Sequence, residues 1–137
     1  MLRRDAFRLP RHPASVGVAR RRAHDHLMAW GRTAPDGHLD DVLLLVSELA
    51  TNVVRHGPLP EREFEVAVTA LADGSCVVEV SEEVSDDSSG TPRPRTAQWA
   101  DESGRGLFLV EAVADAWGVW NRGPSGQTVW ALVRPPR

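Results

Sequence analysis

Residues 47–57 read SELATNVVRHG, and this stretch carries most of the information about the fold. It lies in a segment, 39–55, whose apolar residues recur at intervals of three and four, which predicts an amphipathic α-helix. Its core face is formed by Leu39, Val42, Val46, Leu49 and Val53. At about 100° per residue, Leu45, Glu48 and Asn52 form a line along one flank of that face, at the border between core and solvent. We expect them to face the edge of a cavity, with an exposed polar pair as the alternative.

The segment before this helix predicts another helix at residues 14–30, closed by Gly31. Its apolar residues are spaced for one face, namely Val16, Ala19, Ala23, Leu27 and Trp30. Residues 1–13 hold two prolines and scattered arginines. Because proline cannot donate to a sheet ladder, they predict at most a short edge strand around Phe7 and Leu9.

A hairpin follows the helix that contains Asn52. Residues 64–70 and 76–82 predict two antiparallel strands, because the Asp73-Gly74 pair between them is a favourable turn sequence. The next residues, to Arg105, have no period and are rich in Ser, Asp, Pro and Arg. A long polar segment inside a compact domain is typical of a functional loop, and we expect a lid at residues 83–103. Plain disorder is the alternative.

The last part of the chain predicts one helix and two strands. Residues 104–117 have a helical pattern, which Gly118 would end. Its inward residues would be Leu107, Val110, Val113, Ala114 and Trp117. The strands VWN and TVWALV then surround the turn sequence RGPSGQ.

Helices clustered with antiparallel strands predict an α+β fold, in which helices pack on one face of a mostly antiparallel sheet to form a two-layer sandwich. The 137 residues, 42% of them apolar, fit a single domain spanning 1–137. A net charge of -3 provides no basic field for direct nucleic-acid binding. The lone Cys76 forms no internal disulfide, and no apolar run approaches the roughly 20 residues of a membrane span. We therefore expect a cytoplasmic protein that binds no membrane.

Three points along the chain carry candidate chemistry, and the first is Gly104-Arg105-Gly106. Glycines permit close backbone approach, and the N–H groups at the start of a helix attract phosphate. A plain turn is the alternative. The chain contains no lysine, which excludes a P-loop.

The second and third points are the polar flank of the long helix and the end of the second hairpin strand. An asparagine inside a helix is unfavourable unless its amide has a task, and the Asn52 carbonyl could join phosphate oxygens around Mg²⁺ while the Glu48 carboxylate handles a proton. A carboxylate at the strand end, Glu82 or Asp86 beyond it, can accept a hydrogen bond from a purine amine. A solvated strand-end carboxylate is the alternative.

Together these points resemble the GHKL-type ATPase and kinase superfamily, and most closely its short bacterial anti-sigma-factor serine kinases. The sequence ELATNVVRHG at 48–57 resembles the N box of that family, and ESGRGLFLVEAVADAWG at 102–118 resembles its glycine box with the following helix. The strand end near Glu82 resembles its adenine-contacting box. The resemblance covers nearly the whole chain, including the closing GQTVWALV.

By this resemblance the cofactors are ATP and Mg²⁺. Asn52 would bind the metal and Glu48 would be the catalytic base. The glycine-box residues of the nucleotide site would be Gly104, Arg105, Gly106 and Leu107. The family has an Asp followed by glycines where this chain reads VEVSEEVSDDSSGTP. Counting from the hairpin turn selects Glu82, which we prefer, and counting back from Pro92 selects Asp86. We expect weak ATP affinity from this irregular box.

Two functions are compatible with the resemblance. One is a serine/threonine protein kinase that phosphorylates an antagonist protein and sequesters a sigma factor, with a homodimer left open. The other is a non-catalytic partner-switching module whose surface is set by bound nucleotide. A stand-alone histidine-kinase ATP domain is a weaker third, because no phosphoacceptor helix precedes it in this sequence.

Overall fold

Antiparallel pairing organises the computed structural model, which describes residues 2–31, 38–56, 63–82, 104–121 and 126–135. Five strands lie in the order β1-β2-β3-β5-β4, each antiparallel to its neighbours. In chain order the elements are β1 (Arg3–Pro10), α1 (Ala14–Ala29), α2 (His38–His56), β2 (Glu63–Ala70), β3 (Cys76–Glu82), α3 (Gly104–Val113), β4 (Ala116–Asn121) and β5 (Gln127–Val133).

The core lies between one face of the sheet and the helices. Inward residues of β3 are buried at every second position, as the pleat requires, and Val78 and Val80 sit at its centre. Helix α2 contributes most of its apolar face, with Val46 and Leu49 fully buried. Helix α1 adds the small face of Ala19 and Ala23. The predicted α+β two-layer architecture with helices on one face of an antiparallel sheet is confirmed.

The hairpin between β2 and β3 forms as its sequence predicts. The N–H of Ser75 donates to Asp73 Oδ1 at 2.8 Å, and the N–H of Gly74 donates to the carbonyl of Leu71 at 3.1 Å. Gly74 has φ +96°, a backbone conformation that residues with a Cβ rarely adopt. Turn chemistry thus fixes the register that pairs Cys76 with Ala70.

The first strand is longer than expected. Residues 3–10 form an eight-residue strand that pairs with β2 and is the edge of the sheet. Phe7 is its buried residue, and the guanidinium carbon of Arg22 lies 4.5 Å from the centre of the Phe7 ring. The strand lies at the edge of the sheet, as its prolines predict. It is longer than predicted because all of its residues, 3–10, including Phe7, pair with β2.

The helix boundaries agree with the sequence except at α3. Helix α1 ends at Ala29, one residue before the predicted end, and α2 extends one residue further at each end. The prediction that α3 continues to Trp117 and is stopped by Gly118 is wrong, because α3 ends at Val113 and β4 begins at Ala116.

Packing of Gly118 explains this error. A Cβ at Gly118 would lie 2.9 Å from the Trp130 ring, so the glycine admits an indole from the neighbouring strand and does not cap a helix. Asp115 N–H donates to the carbonyl of Leu132 at 2.8 Å, which starts the new strand beside β5. Trp117 consequently lies in β4, partly buried against the core.

No helix in the described part of the chain is long and apolar enough to cross a membrane.

Candidate functional site

The long helix α2 begins near the end of β5. The His38 ring lies 3.3 Å from the carbonyl oxygen of Val133, which places the start of α2 where β5 finishes. Asn52 lies about 21 Å further along the helix axis, close to the length of a seven-residue strand. A helix that runs along the strands from this start would bring Asn52 to the opposite end of the sheet, where β3 finishes and β5 begins, and we infer this direction for α2. We call these the Val133 end and the Glu82 end.

Asn52 is a buried amide at the Glu82 end. Its side chain is 5% exposed, and its Nδ2 has no hydrogen-bond partner among the described residues. A buried polar group without a partner destabilises a protein by about 1–3 kcal/mol, so such groups are rare and call for an explanation. The interior position of Asn52 excludes the alternative that it is an exposed polar residue.

The other members of the predicted flank differ in burial. Leu45 is fully buried and belongs to the core, so the expectation that it lies at the border is wrong. Helix α2 packs against both β3 and α3. Glu48 is intermediate in exposure. Along this flank Glu48 is therefore the partly exposed residue, between the buried Leu45 and the buried Asn52.

The carboxylate of Glu82 ends β3 inside the protein. It is 4% exposed and accepts hydrogen bonds from Arg11 Nη2 to Oε2 at 2.5 Å and from Gln127 Nε2 to Oε1 at 3.1 Å. The Arg11 and Glu82 side chains are only 1% and 3% exposed. The solvated strand-end alternative is thereby excluded for Glu82. Its role as the adenine contact stays a prediction, since each carboxylate oxygen can accept a further hydrogen bond.

Sequence reasoning did not find Arg11 or Gln127. Arg11 follows a proline-containing strand and gave no signal among sixteen arginines. Gln127 ends RGPSGQ, which the sequence assigned to a turn, and it also stands in GQTVWALV, which contributed only to the overall family resemblance. Both residues meet Glu82 across separations of 71 and 45 residues, which no local pattern can show.

The glycine box coincides with the beginning of a helix. Gly104 is the first residue of α3, so the prediction that Gly104-Arg105-Gly106 opens a helix is confirmed for the backbone. Just after α3 ends, the N–H of Asp115 donates to the carbonyl of Leu132, next to the Val133 end. Gly104 and Gly106 are in the first turn of α3, at the other end of that helix. The side chains of Arg105 and Leu107 lie outside the described residues, as do Asp86 and the predicted lid at 83–103.

Within the described ranges, no group of three or more His, Cys, Asp or Glu residues is arranged to hold a metal ion. Arg11, Glu82 and Gln127 form a hydrogen-bonded cluster where β3 ends. Among the described residues, the Asn52 Nδ2 donor and the Gln127 Oε1 acceptor are buried without partners.

Comparison with known proteins adds the family and the fold. The sequence profile of the histidine kinase-like ATPase domain matches residues 9–133. A structure of the SiaB-SiaC complex from Pseudomonas aeruginosa contains a chain that is 16% identical, with a TM-score of 0.65; the match covers 94% of this chain and 88% of that one. No curated protein matches the sequence significantly.

A second similar structure holds the RsbU and RsbW domains of Rv1364c from Mycobacterium tuberculosis. It is 19% identical over 98% of this chain, with a TM-score of 0.69. The chain spans only 34% of the length of that protein. At these identities the two likenesses show the fold alone.

Proposed function

Because the chain belongs to the family of histidine kinase-like ATPase domains, we propose that it is an ATP-binding serine/threonine protein kinase that acts as an anti-sigma factor. Its substrate would be an antagonist protein, and its second partner a sigma factor. One observation carries the nucleotide binding: the buried Asn52 amide of α2, whose Nδ2 donor lacks a partner among the described residues and could donate to a phosphate oxygen. ATP and bacterial sigma factors are cytoplasmic, so the proposal places the protein in the cytoplasm.

The described residues fit a magnesium nucleotide. The Asn52 carbonyl oxygen is a hard ligand of the kind that Mg²⁺ prefers, and phosphate oxygens and water would complete the coordination. When bound, the metal would neutralise charge on the phosphates. The first turn of α3 would offer backbone N–H groups to the phosphates at Gly104 and Gly106, where the helix dipole favours negative charge.

Glu48 would act on the hydroxyl of the substrate protein. It lies one helical turn before Asn52, so both side chains are directed to the same side of α2. Its intermediate exposure leaves the carboxylate accessible to a partner, whereas Asn52 is enclosed. The carboxylate would accept the proton of the attacking serine or threonine while the nucleotide is held in place.

The test separates binding from transfer. Asn52→Ala should abolish ATP–Mg²⁺ binding in calorimetry, because it removes the metal ligand. Glu48→Gln should keep binding and lower phosphotransfer to the antagonist protein by about 10²–10⁴-fold, the usual contribution of a general base. Glu65→Gln is the matched control, since Glu65 lies on β2 at a position paired with Ser81, outside the proposed site.

Two results would redirect the proposal. A wild-type protein that ignores ATP–Mg²⁺ at millimolar concentration would reject nucleotide binding altogether. A protein that binds ATP and its partner but transfers no phosphate, with Glu48→Gln indistinguishable from wild type, would instead establish the non-catalytic partner-switching module.

A further inference from the structure

The two edge strands of the sheet differ in how they are protected against pairing. Strand β1, RRDAFRLP, contains four charged residues and a proline, which hinder pairing with a further strand. Strand β4 reads AWGVWN and has neither a charged residue nor a proline. Among the described residues, no strand pairs with its outer edge. The β4 edge therefore presents backbone groups with which another strand can pair.

A large aromatic side chain projects from this edge strand. Trp117 and Val119 pack against the core, so the alternation of side chains along a strand places Gly118 and Trp120 on the face away from the helices. Trp120 is 65% exposed there. Tryptophan is enriched among the residues that contribute most to protein–protein binding, so its exposure on an unprotected edge indicates an interaction site.

Gly118 leaves room beside that tryptophan. It pairs with Trp130 of β5, and a Cβ at Gly118 would lie 2.9 Å from the Trp130 ring, so this indole covers the glycine from the β5 side. A strand that pairs with the open edge of β4 would bring one of its own side chains to the same glycine from the other side. Because Gly118 has no side chain, a second aromatic ring can meet the Trp130 ring above it.

The exposed tryptophan and the space at Gly118 complement each other about a two-fold axis at Val119. In antiparallel pairing about that axis, Trp120 lies opposite Gly118 of the partner subunit. Opposite residues then project from the same face, as a continuous sheet requires. The contact occurs twice, because a two-fold interface uses the same surface on both subunits.

We propose that two copies of this chain form a dimer through β4, in which each Trp120 packs against Trp130 of the partner subunit above Gly118. The two sheets join into one continuous antiparallel sheet. The inference goes beyond the proposed kinase function and does not rest on it.

Helix α3 adds apolar surface at the same edge. It packs against β4, and its Phe108 and Leu109 side chains are 70% and 37% exposed. A two-fold axis perpendicular to the sheet keeps the helices of both copies on one face, so the two α3 helices would be neighbours across the axis. Burial of their apolar side chains would strengthen the dimer. The interface is nevertheless small, and we expect a dissociation constant of about 1–100 μM.

Sedimentation equilibrium of the full chain without nucleotide tests this dimer. Wild type should change from monomer to dimer across the expected range of concentration. Trp120→Ser should weaken the dimer at least about a hundredfold, because truncating a central tryptophan typically weakens binding about thirtyfold and the dimer contains two of them. Leu2→Ser is the matched control. Leu2 is 64% exposed but precedes β1 at the opposite edge, so its loss should leave the dissociation constant within about twofold of wild type.

Disulfide trapping tests the register. Val119→Cys places two thiols opposite each other at the axis, where the Cα atoms of opposed residues are about 4.5–5.5 Å apart and a disulfide can form. Under mild oxidation this variant should yield a covalent dimer. Asn121→Cys is the control, because its two copies would be roughly 14 Å apart in the same register, beyond the reach of a disulfide. The native Cys76 is 1% exposed and should not compete.

Three results would overturn the inference. A wild type that stays monomeric up to about 1 mM would reject the dimer and leave this edge to a strand of a different protein. A dimer that is weakened by Leu2→Ser and not by Trp120→Ser would place the interface at β1. Equal cross-linking of Val119→Cys and Asn121→Cys would reject the pairing about Val119. Because nucleotide is absent throughout, none of these results depends on the proposed function.

Discussion

The two ends of the sheet are completed in opposite ways. At the Val133 end, polar groups form hydrogen bonds within the chain. Backbone hydrogen bonds close the hairpin turn at Gly74, and the N–H of Arg134 donates to Asp115 Oδ2 at 2.6 Å. At the Glu82 end, a buried donor on Asn52 and a buried acceptor on Gln127 have no partner among the described residues. Both ends therefore contribute to stability, but buried polar atoms without a partner among the described residues are found at the Glu82 end, where function is proposed.

The largest effect is expected from breaking the ion pair at the Glu82 end. Arg11→Met should lower the free energy of unfolding by about 3–5 kcal/mol, because the Glu82 carboxylate remains buried without its cation. Denaturant unfolding followed by circular dichroism measures this loss. Replacing both partners, with Arg11→Met and Glu82→Leu together, should recover most of it, since no charge is then buried alone.

The control for this prediction is Arg8→Met. The Arg8 and Glu63 side chains are both about half exposed and approach only to 3.7 Å, so removing the cation should change the free energy by about 0–1 kcal/mol. Equal losses for Arg8→Met and Arg11→Met would mean that burial of the Arg11–Glu82 pair has no special role in stability.

Local patterns in the sequence predict the parts of the fold that are decided locally. The period of α2 locates Asn52, and Asp73-Gly74 locates the hairpin, because helix faces and tight turns depend on residues a few positions apart. The boundary after Val113 was missed because the following Ala-rich segment keeps a helical period, while the requirement for a glycine at 118 comes from Trp130 on another strand.

In the candidate site, too, residues close together in the sequence are predictable and contacts between distant segments are not. Glu48 and Asn52 share one helix, so their spacing predicts that they act on one side of it. The partners of Glu82 come from the segment after β1 and from the start of β5, and their contact depends on the strand order, which no spacing in the sequence encodes. Whether Glu82 or Asp86 contacts adenine stays a prediction.

A change at the Val133 end should affect stability alone. Gly74→Ala places a Cβ on a backbone at φ +96° and should lower the free energy of unfolding by about 1–2 kcal/mol, with ATP affinity unchanged. Gly17→Ala is the matched control. Gly17 lies in α1, where a Cβ would meet only Arg21 Nη2 at 3.9 Å, so alanine should stabilise the protein by about 0.5–1 kcal/mol. A loss of ATP binding in Gly74→Ala would show that the two ends are coupled.

The smallest expected change is an increase in the free energy of unfolding. Asn52→Leu removes a buried donor that has no partner among the described residues, so the nucleotide-free protein should become more stable by about 1 kcal/mol in denaturant unfolding. The same variant should lose ATP binding, because stability and function compete for this position. Ser47→Ala is the control: Ser47 Oγ is also buried without a partner among these residues, and its removal should stabilise α2 without affecting ATP. A destabilised Asn52→Leu protein would mean that the amide is satisfied inside the chain, and the Glu82 end would then be as complete as the Val133 end.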